Sequence, residues 1–398
     1  MQATLSTPAA TASSPRWRVI GAVSVAHYLN DLVQSLILAI YPLLKGTYAL
    51  SFAQIGLMTL TYQCTASLLQ PLVGILTDRK PQPRALVLGM AATLCGLLLL
   101  SQATQFGWLL LAAALVGTGS SIFHPESSRV VRLAAGGRKG LAQSLFQVGG
   151  NGGTATGPLL AMLIILPNGQ HSLAWFASLT LLAMLVLWQV GNWYGAQLGN
   201  SAARASHAVA APLPPAKTRN TLAVLMALVV TKYTYMACLH SYFTFYLIER
   251  FAMSTADAQL YLFAFLLAVA SGTILGGPLG DRIGRRRVIW FSIFGSAPFA
   301  LALPYADQHT TLALVVLIGL ILSSAFSAIL VYAQELMPQR VGMISGLFFG
   351  LAFGVAGLGA ALIGQLADHF GLQTVYQWCA WIPLTGIVAA LLPELRKR

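Results

Sequence analysis

Four polar residues interrupt the first apolar stretch of this chain at helical spacing. His27, Asn30, Asp31 and Gln34 fall at i, i+3, i+4 and i+7 and so share one helix face. Asp31 stands about 14 residues into that stretch, at the depth of a bilayer midplane. An ionisable group there costs at least about 2.5–3.5 kcal/mol to insert, so it faces a cavity or a partner. The chemistry open to it is proton carriage, with His27 one turn away sharing or tuning the proton. The competing reading is a polar stripe that only hydrogen-bonds to a neighbouring helix. A base stands in the corresponding part of the second half. Lys232 lies about 13 residues into its own apolar stretch, with Tyr235 and His240 further along the same segment. A midplane ammonium suits an anionic ligand, or pairs with Asp31 when none is bound. The plainer alternative is a permanent salt bridge with no part in transport.

A third group ends the fourth apolar stretch, in His124-Pro125-Glu126-Ser127-Ser128-Arg129. Ser120, His124 and Ser128 line one face, and Glu126 and Arg129, at i and i+3, have the spacing of a local ion pair. Pro125 is expected to kink the helix. The tenth stretch ends similarly, in Gln334-Glu335-Leu336-Met337-Pro338. That symmetry favours a gating role for Glu126 and Glu335. Glu126 also stands beside Asp31 and His27 as a candidate for proton coupling. Asn30, Gln34, His124, Arg129, Lys232, Tyr235 and His240 are the candidate substrate ligands.

The elements that must hold these groups are membrane helices. Charged residues make up 8% of the 398 and apolar ones 57%, against about 25% charged in a soluble domain. Mean hydropathy is +0.73. No soluble core hides that much hydrocarbon, and in lipid the backbone must be satisfied within helices. Runs of about 20 residues cross the bilayer, and counting them gives twelve spans. They fall into two bundles of six, 17–195 and 220–392, joined by a Pro-rich and basic linker, 196–219. Residues 1–16 and 393–398 read as cytoplasmic tails, and 1–15 lack the basic start of a signal peptide.

Net charge is +13, and the bases crowd alternate loops while the opposite loops carry only Lys45 and Arg250. This is the positive-inside pattern, with both termini cytoplasmic. It lacks the interleaved aromatics of a nucleic-acid surface. Cys64, Cys95, Cys238 and Cys379 are single and outside any CxxC pair, so neither a disulfide framework nor a metal site is indicated.

One charged loop occurs twice. Gly74-Ile75-Leu76-Thr77-Asp78-Arg79 and Gly277-Pro278-Leu279-Gly280-Asp281-Arg282 both read G-x-L-x-D-R, 203 residues apart, between spans two and three and between spans eight and nine. Glycines recur every four residues at 342, 346, 350 and 354, at 149, 153 and 157, and at 272, 276 and 280, the stripe that lets membrane helices approach closely. The run Gly149-Gly150-Asn151-Gly152-Gly153 lacks the Gly-Lys-Ser/Thr ending of a phosphate loop and lies in an apolar span.

Twelve spans, a central linker and the duplicated motif resemble the major facilitator superfamily, over the whole chain. Ser35 to Leu44, Gly117 to Arg129 and Gly140 to Asn151 are similar to a branch of it found in Gram-negative bacteria. That resemblance implies an inner-membrane, proton-driven antiporter exporting a small anionic antibiotic such as fosmidomycin. It further implies a monomer with no cofactor beyond the proton gradient. It gives the motif aspartates Asp78 and Asp281 a gating role, with Arg79, Arg282 and Arg285 as partners and Gly74 and Gly277 at close helix approaches. One departure stands out. Drug-proton antiporters of this superfamily commonly carry an Arg in the middle of span four, and here Ala114 to Ser120 has none.

The other function classes are a proton symporter importing an organic anion or sugar-like solute, a membrane enzyme and a receptor. An enzyme would need His boxes, HExxH or a nucleophile elbow, and none occurs. A receptor has no need of a midplane acid and base.

Overall fold

The computed structural model describes residues 14–50, 52–203, 213–253 and 255–394. The tail residues 1–13 and 395–398, and linker residues 204–212, lie outside the described residues. Twelve helical rods follow one another. The first six are α1 (Trp17–Ala39, followed by Tyr41–Tyr48), α2 (Phe52–Arg79), α3 (Ala85–Gln102), α4 (Phe106–Ala134), α5 (Lys139–Leu160) and α6 (Ala177–Ala203). The second six are α7 (Pro215–Phe251), α8 (Thr255–Ile283), α9 (Arg285–Phe294 and Ala297–Ala302), α10 (Gln308–Ser323 and Ala325–Leu336), α11 (Val341–Phe370) and α12 (Leu372–Cys379, then Ile382–Leu391). Helix continues to Ala203 and restarts at Pro215, so it enters both ends of the segment expected as linker. Pro215 suits a first helical turn because its missing N–H would be unpaired there anyway.

The duplication read in the sequence is a duplication of packing. In the first half α1 lies along α5 and α2 along α4; in the second, α7 lies along α11 and α8 along α10. Glycine makes the first contact close: a Cβ on Gly149 or Gly153 would run into the Ser24 or Tyr28 carbonyl of α1.

Among the described residues nine segments are long and apolar enough to cross a membrane. The rods outside that set are α1, α2 and α5. They carry Asn30, Asp31 and Gln34; Gln63 and Gln70; and Gln143, Gln147 and Asn151. Polar residues on a spanning helix turn towards a cavity or bundle interior rather than lipid.

The halves meet where α2 lies along α11 and α5 along α8. On α11, Gly342, Gly346 and Gly350 press against backbone carbonyls of Gly74, Gln70 and Ser67. Further along, a Cβ on Gly354 or Gly357 would meet its first neighbour only at 3.9 Å. The two helices therefore press backbone to backbone at the end that bears the motif loops and sit farther apart towards the other, so the halves are closed at the arginine-rich end.

Candidate functional site

The acid on α1 does not face the base on α7. Asp31 is held between two imidazoles of its own half. Its Oδ2 lies 3.2 Å from His27 Nε2, one turn back on α1, and its Oδ1 lies 3.6 Å from His124 Nε2 on α4. The two Nε2 atoms are 3.3 Å apart. Asn30 donates to Asp31 Oδ1 at 2.9 Å. Both imidazoles are buried, whereas the Asp31 side chain keeps 16% exposure.

Backbone carbonyls fix both rings. His27 Nδ1 meets the Phe146 carbonyl at 2.6 Å, and His124 Nδ1 meets the Ser120 carbonyl one turn back at 3.0 Å. Each contact keeps a proton on Nδ1, so Nε2 is an acceptor in the neutral ring and a donor to Asp31 when the ring is protonated. Aromatic rings pack around them. His27 stacks on Phe146 of α5 at 4.0 Å between centroids, and His124 meets Phe349 and Phe353 of α11, each at 5.2 Å. Since α11 belongs to the other half, the cluster sits on the surface the halves share. Gly150 makes the room: a Cβ there would come within 2.5 Å of the His27 ring and 2.6 Å of Asp31 Oδ2.

The remaining expected ligands separate. Gln34 accepts from the Tyr62 hydroxyl at 2.8 Å, while its own Nε2, and the Oδ1 of Asn30, are buried with no hydrogen-bond partner among the described residues. Lys232 is buried and makes no ion pair with a described residue; its ammonium lies 5.2 Å from the Tyr233 ring and 5.5 Å from that of Phe326. The expected Asp31–Lys232 pair is not formed, because the carboxylate is already engaged by imidazoles from α1 and α4. His240 is exposed and stands edge-on to Phe265 of α8 at 5.3 Å. Tyr235 was expected to line the same site. It is buried in the apolar core of the second half instead, its hydroxyl without a described partner.

Arg129, expected as a substrate ligand, belongs to the closed, arginine-rich end. Five residues beyond His124, it is turned by roughly 140° about α4. It pairs with Asp78 of the first motif through a short contact, with Glu126 Oε1 at 3.1 Å, and donates to the Thr77 carbonyl at 2.7 Å. Glu126 is 1% exposed and placed beside this arginine rather than beside Asp31.

Asp78 reaches across the halves. Its Oδ1 accepts from Gly342 N–H at 3.0 Å and its Oδ2 from Met343 N–H at 2.7 Å, both in the first turn of α11. Asp281 does the same in reverse. It accepts from Gly140 N–H at 3.0 Å and Leu141 N–H at 3.2 Å, in the first turn of α5. Unpaired N–H groups and the positive end of the helix dipole make such a turn an anion site. Gly74 and Gly277 lie directly on the Gly342 and Gly140 backbones. Of the expected cationic partners, Arg285 pairs with Asp281 at 3.1 Å and with Glu335 at 3.2 Å. Arg79 and Arg282 are exposed. The Asp78 cation is Arg129.

Lys139 adds a contact to Glu335 at 3.4 Å, and Gln334 bridges Ser128 at 3.0 Å and Arg132 at 3.2 Å, each across the halves. Four residues with parts in these contacts escaped sequence reasoning. Phe146, Phe349 and Phe353 carry no signal beyond apolarity. Gly150 lies in the glycine run, where its meaning is steric.

The residues matched by the Major Facilitator Superfamily model are 23–256 and 225–398. The chain is 57% identical over 380 residues to the fosmidomycin resistance protein of Escherichia coli (strain K12), covering 96% of this chain and 94% of that protein. It is 40% identical to the uncharacterised MFS-type transporter YfnC of Bacillus subtilis, covering 94% and 92%. Among solved structures, the transporter FucP in its outward conformation superposes with a TM-score of 0.75 at 15% identity, covering 94% of this chain and 98% of that one. The human organic anion transporter MFSD10 does so with 0.73 at 16%, covering 96% and 100%. With its two six-helix bundles, its paired aspartate contacts across the halves and these likenesses, this chain is a multi-pass membrane transporter, not an enzyme, and belongs to the Major Facilitator Superfamily.

Proposed function

We propose that the chain is a proton-coupled antiporter that exports a small anionic antibiotic of the fosmidomycin class across the bacterial inner membrane. The observation that carries this reading is Asp31, a midplane carboxylate with partial solvent access held between two imidazoles. The 57% identity to the Escherichia coli fosmidomycin resistance protein supports the substrate class. Following the loop charges, the closed, arginine-rich end is cytoplasmic and so are both termini. On this reading the carrier opens outward. A proton entering from outside is taken by Asp31, with His27 and His124 sharing it. Neutralising the carboxylate loosens its hold on the two rings, and through Phe349 and Phe353 this reaches α11 and the contact between halves. The halves rock, the proton leaves inward, and the carrier reloads with drug.

Lys232 receives the anion. A buried ammonium with no described counter-charge is costly alone, and a phosphonate entering beside it supplies the missing partner. His240, Asn30 and Gln34 supply further polar contacts, and the spare amide atoms of the last two, without a hydrogen-bond partner among the described residues, are available to a ligand. No cofactor enters this scheme, and one chain suffices for it.

Labelled phosphonate uptake into inverted vesicles under an imposed pH gradient is the direct test. Asp31→Asn is expected to reduce gradient-driven uptake to the level of vesicles lacking the protein, with normal amounts in the membrane. An Asp31→Asn protein that still drives proton-dependent uptake sinks the assignment. Uptake by the opposite gradient would make the protein a symporter.

A further inference from the structure

Two imidazole Nε2 atoms that both carry lone pairs repel. In this protein backbone carbonyls hold the protons of His27 and His124 on Nδ1, yet the two Nε2 atoms stand 3.3 Å apart. A carboxylate adds more negative charge, with Asp31 Oδ2 at 3.2 Å from one ring and Oδ1 at 3.6 Å from the other. With both rings neutral, three acceptors converge on one point, and a cation there, a proton or a metal ion, relieves all three.

The spacing selects the kind of cation. Zinc binds imidazole nitrogen and carboxylate oxygen at about 2.0–2.2 Å in a tetrahedron, which sets donor–donor edges of roughly 3.3–3.5 Å. The observed separations bracket that edge. One donor atom from each residue lies within 4.8 Å of the others, so a small turn of the carboxylate completes the face. Two imidazoles and one carboxylate favour zinc-like ions over magnesium or calcium, which want oxygen. The outer contacts fit as well. A ligating histidine almost always donates its other N–H to a carbonyl or carboxylate, and both rings do so here. Rings of Phe146, Phe349 and Phe353 fix their planes, and Gly150 leaves the space beside Nε2 unfilled.

We propose that His27, Asp31 and His124 form a binding site for a divalent transition-metal ion of the zinc class, with the fourth coordination position open. No sequence spacing announces it, because two ligands lie on α1 and the third on α4, 97 residues from His27. The site is built from the geometry alone and does not rest on the antiport reading. Where that reading also holds, the ion occupies the proton's place and stalls the carrier.

The test uses the full-length protein, purified in detergent, stripped with a chelator and titrated with Co2+, whose tetrahedral complexes absorb strongly in the visible. One equivalent per chain is expected to saturate such a spectrum, and Zn2+ to displace it. His124→Gln and His27→Gln should each weaken binding by about 100-fold or more, since they remove a ligand rather than an outer partner, whose loss alone costs about 10–100-fold. His309→Ala, on the exposed start of α10, should leave binding unchanged. X-ray absorption on the zinc-loaded wild type needs no variant and should count two imidazole nitrogens per ion. No tetrahedral spectrum, a spectrum that survives in the double histidine variant, or an ion with no imidazole neighbours overturns the proposal. Binding is read without a gradient or a drug. A protein that exports phosphonate but holds no metal removes this site and keeps the transport reading; the converse result removes the transport reading and keeps the site.

Discussion

Both copies of the duplicated motif aim an aspartate at the first turn of a helix in the opposite half, but they recruit their cations differently. Asp78 takes Arg129 from α4, a helix that also carries His124 of the central cluster and the buried Glu126. Asp281 takes Arg285 from its own loop, which then ties to Glu335 and, through it, to Lys139. The Asp78 contact is therefore continuous with the Asp31–His124 cluster through one helix. The second is a network of partly exposed side chains at the rim. A repeat in sequence has become two different contacts: both join the halves at the same end, and the first shares a helix with the Asp31 cluster.

The difference predicts unequal damage. Asp78→Asn leaves Arg129 buried with only Glu126 to balance it and removes the charge from the α11 terminus. Breaking a buried pair costs about 3–5 kcal/mol, and the surviving Glu126 contact puts this variant near the low end. About 3 kcal/mol shifts the closed-to-open balance by roughly 100-fold. Cysteine labelling at the cytoplasmic end of α11 should accelerate accordingly. Asp281→Asn loses a partly exposed pair worth about 0–1 kcal/mol and a helix-terminus charge worth about 0.3–1 kcal/mol. Its labelling should rise by only several-fold. Equal effects would mean that burial of Arg129 does not set the strength of the latch.

What the sequence made legible follows the range of the forces involved. The spans, the duplication, the stripe around Asp31 and both motif aspartates are local patterns, and all of them appear in the fold. The partners are not local. Nothing in the spacing of α1 says that His124 completes its cluster. Arg79 stands beside Asp78 in sequence, but adjacent residues point about 100° apart, and Asp78 engages Arg129 and the α11 backbone. Arg129 read as a ligand because it shares a segment with His124, although five residues of helix turn it to another face. Lys232 and Asp31 stand at corresponding depths in the two halves. A repeat gives equivalent depth on two helices and leaves open whether two side chains meet.

Steric predictions are smaller and sharpen the same contrast. Gly277 rests on the Gly140 backbone, so Gly277→Ala must push α5 from α8 and open the second latch. Gly280, one turn on, would place its Cβ 3.6 Å from Arg285 and 3.8 Å from Ala328, ordinary packing distances. Gly280→Ala should leave labelling and transport within error. An effect as large as that of Gly277→Ala would show that helix flexibility, not close approach, is what the stripe supplies.

The smallest expected effect belongs to an aspartate that caps its own helix. Asp307 precedes α10 and accepts from Thr310 N–H at 2.9 Å and from the Thr310 hydroxyl at 3.0 Å. These donors hold its carboxyl below the ordinary 3.8. A carboxylate with a depressed folded value stabilises fully above its unfolded value, and the contribution is lost as pH falls through the folded one. At pH 7 the cap is complete, so Asp307→Ala should lower the thermal midpoint slightly there, and the difference from wild type should vanish in acid. Gate labelling should not change at any pH, because this capping bond stays within one half. If Asp307→Ala opened the cytoplasmic end as Asp281→Asn does, a cap within one half would be as much a latch as a cap across two, and the distinction drawn for the motif aspartates would fail.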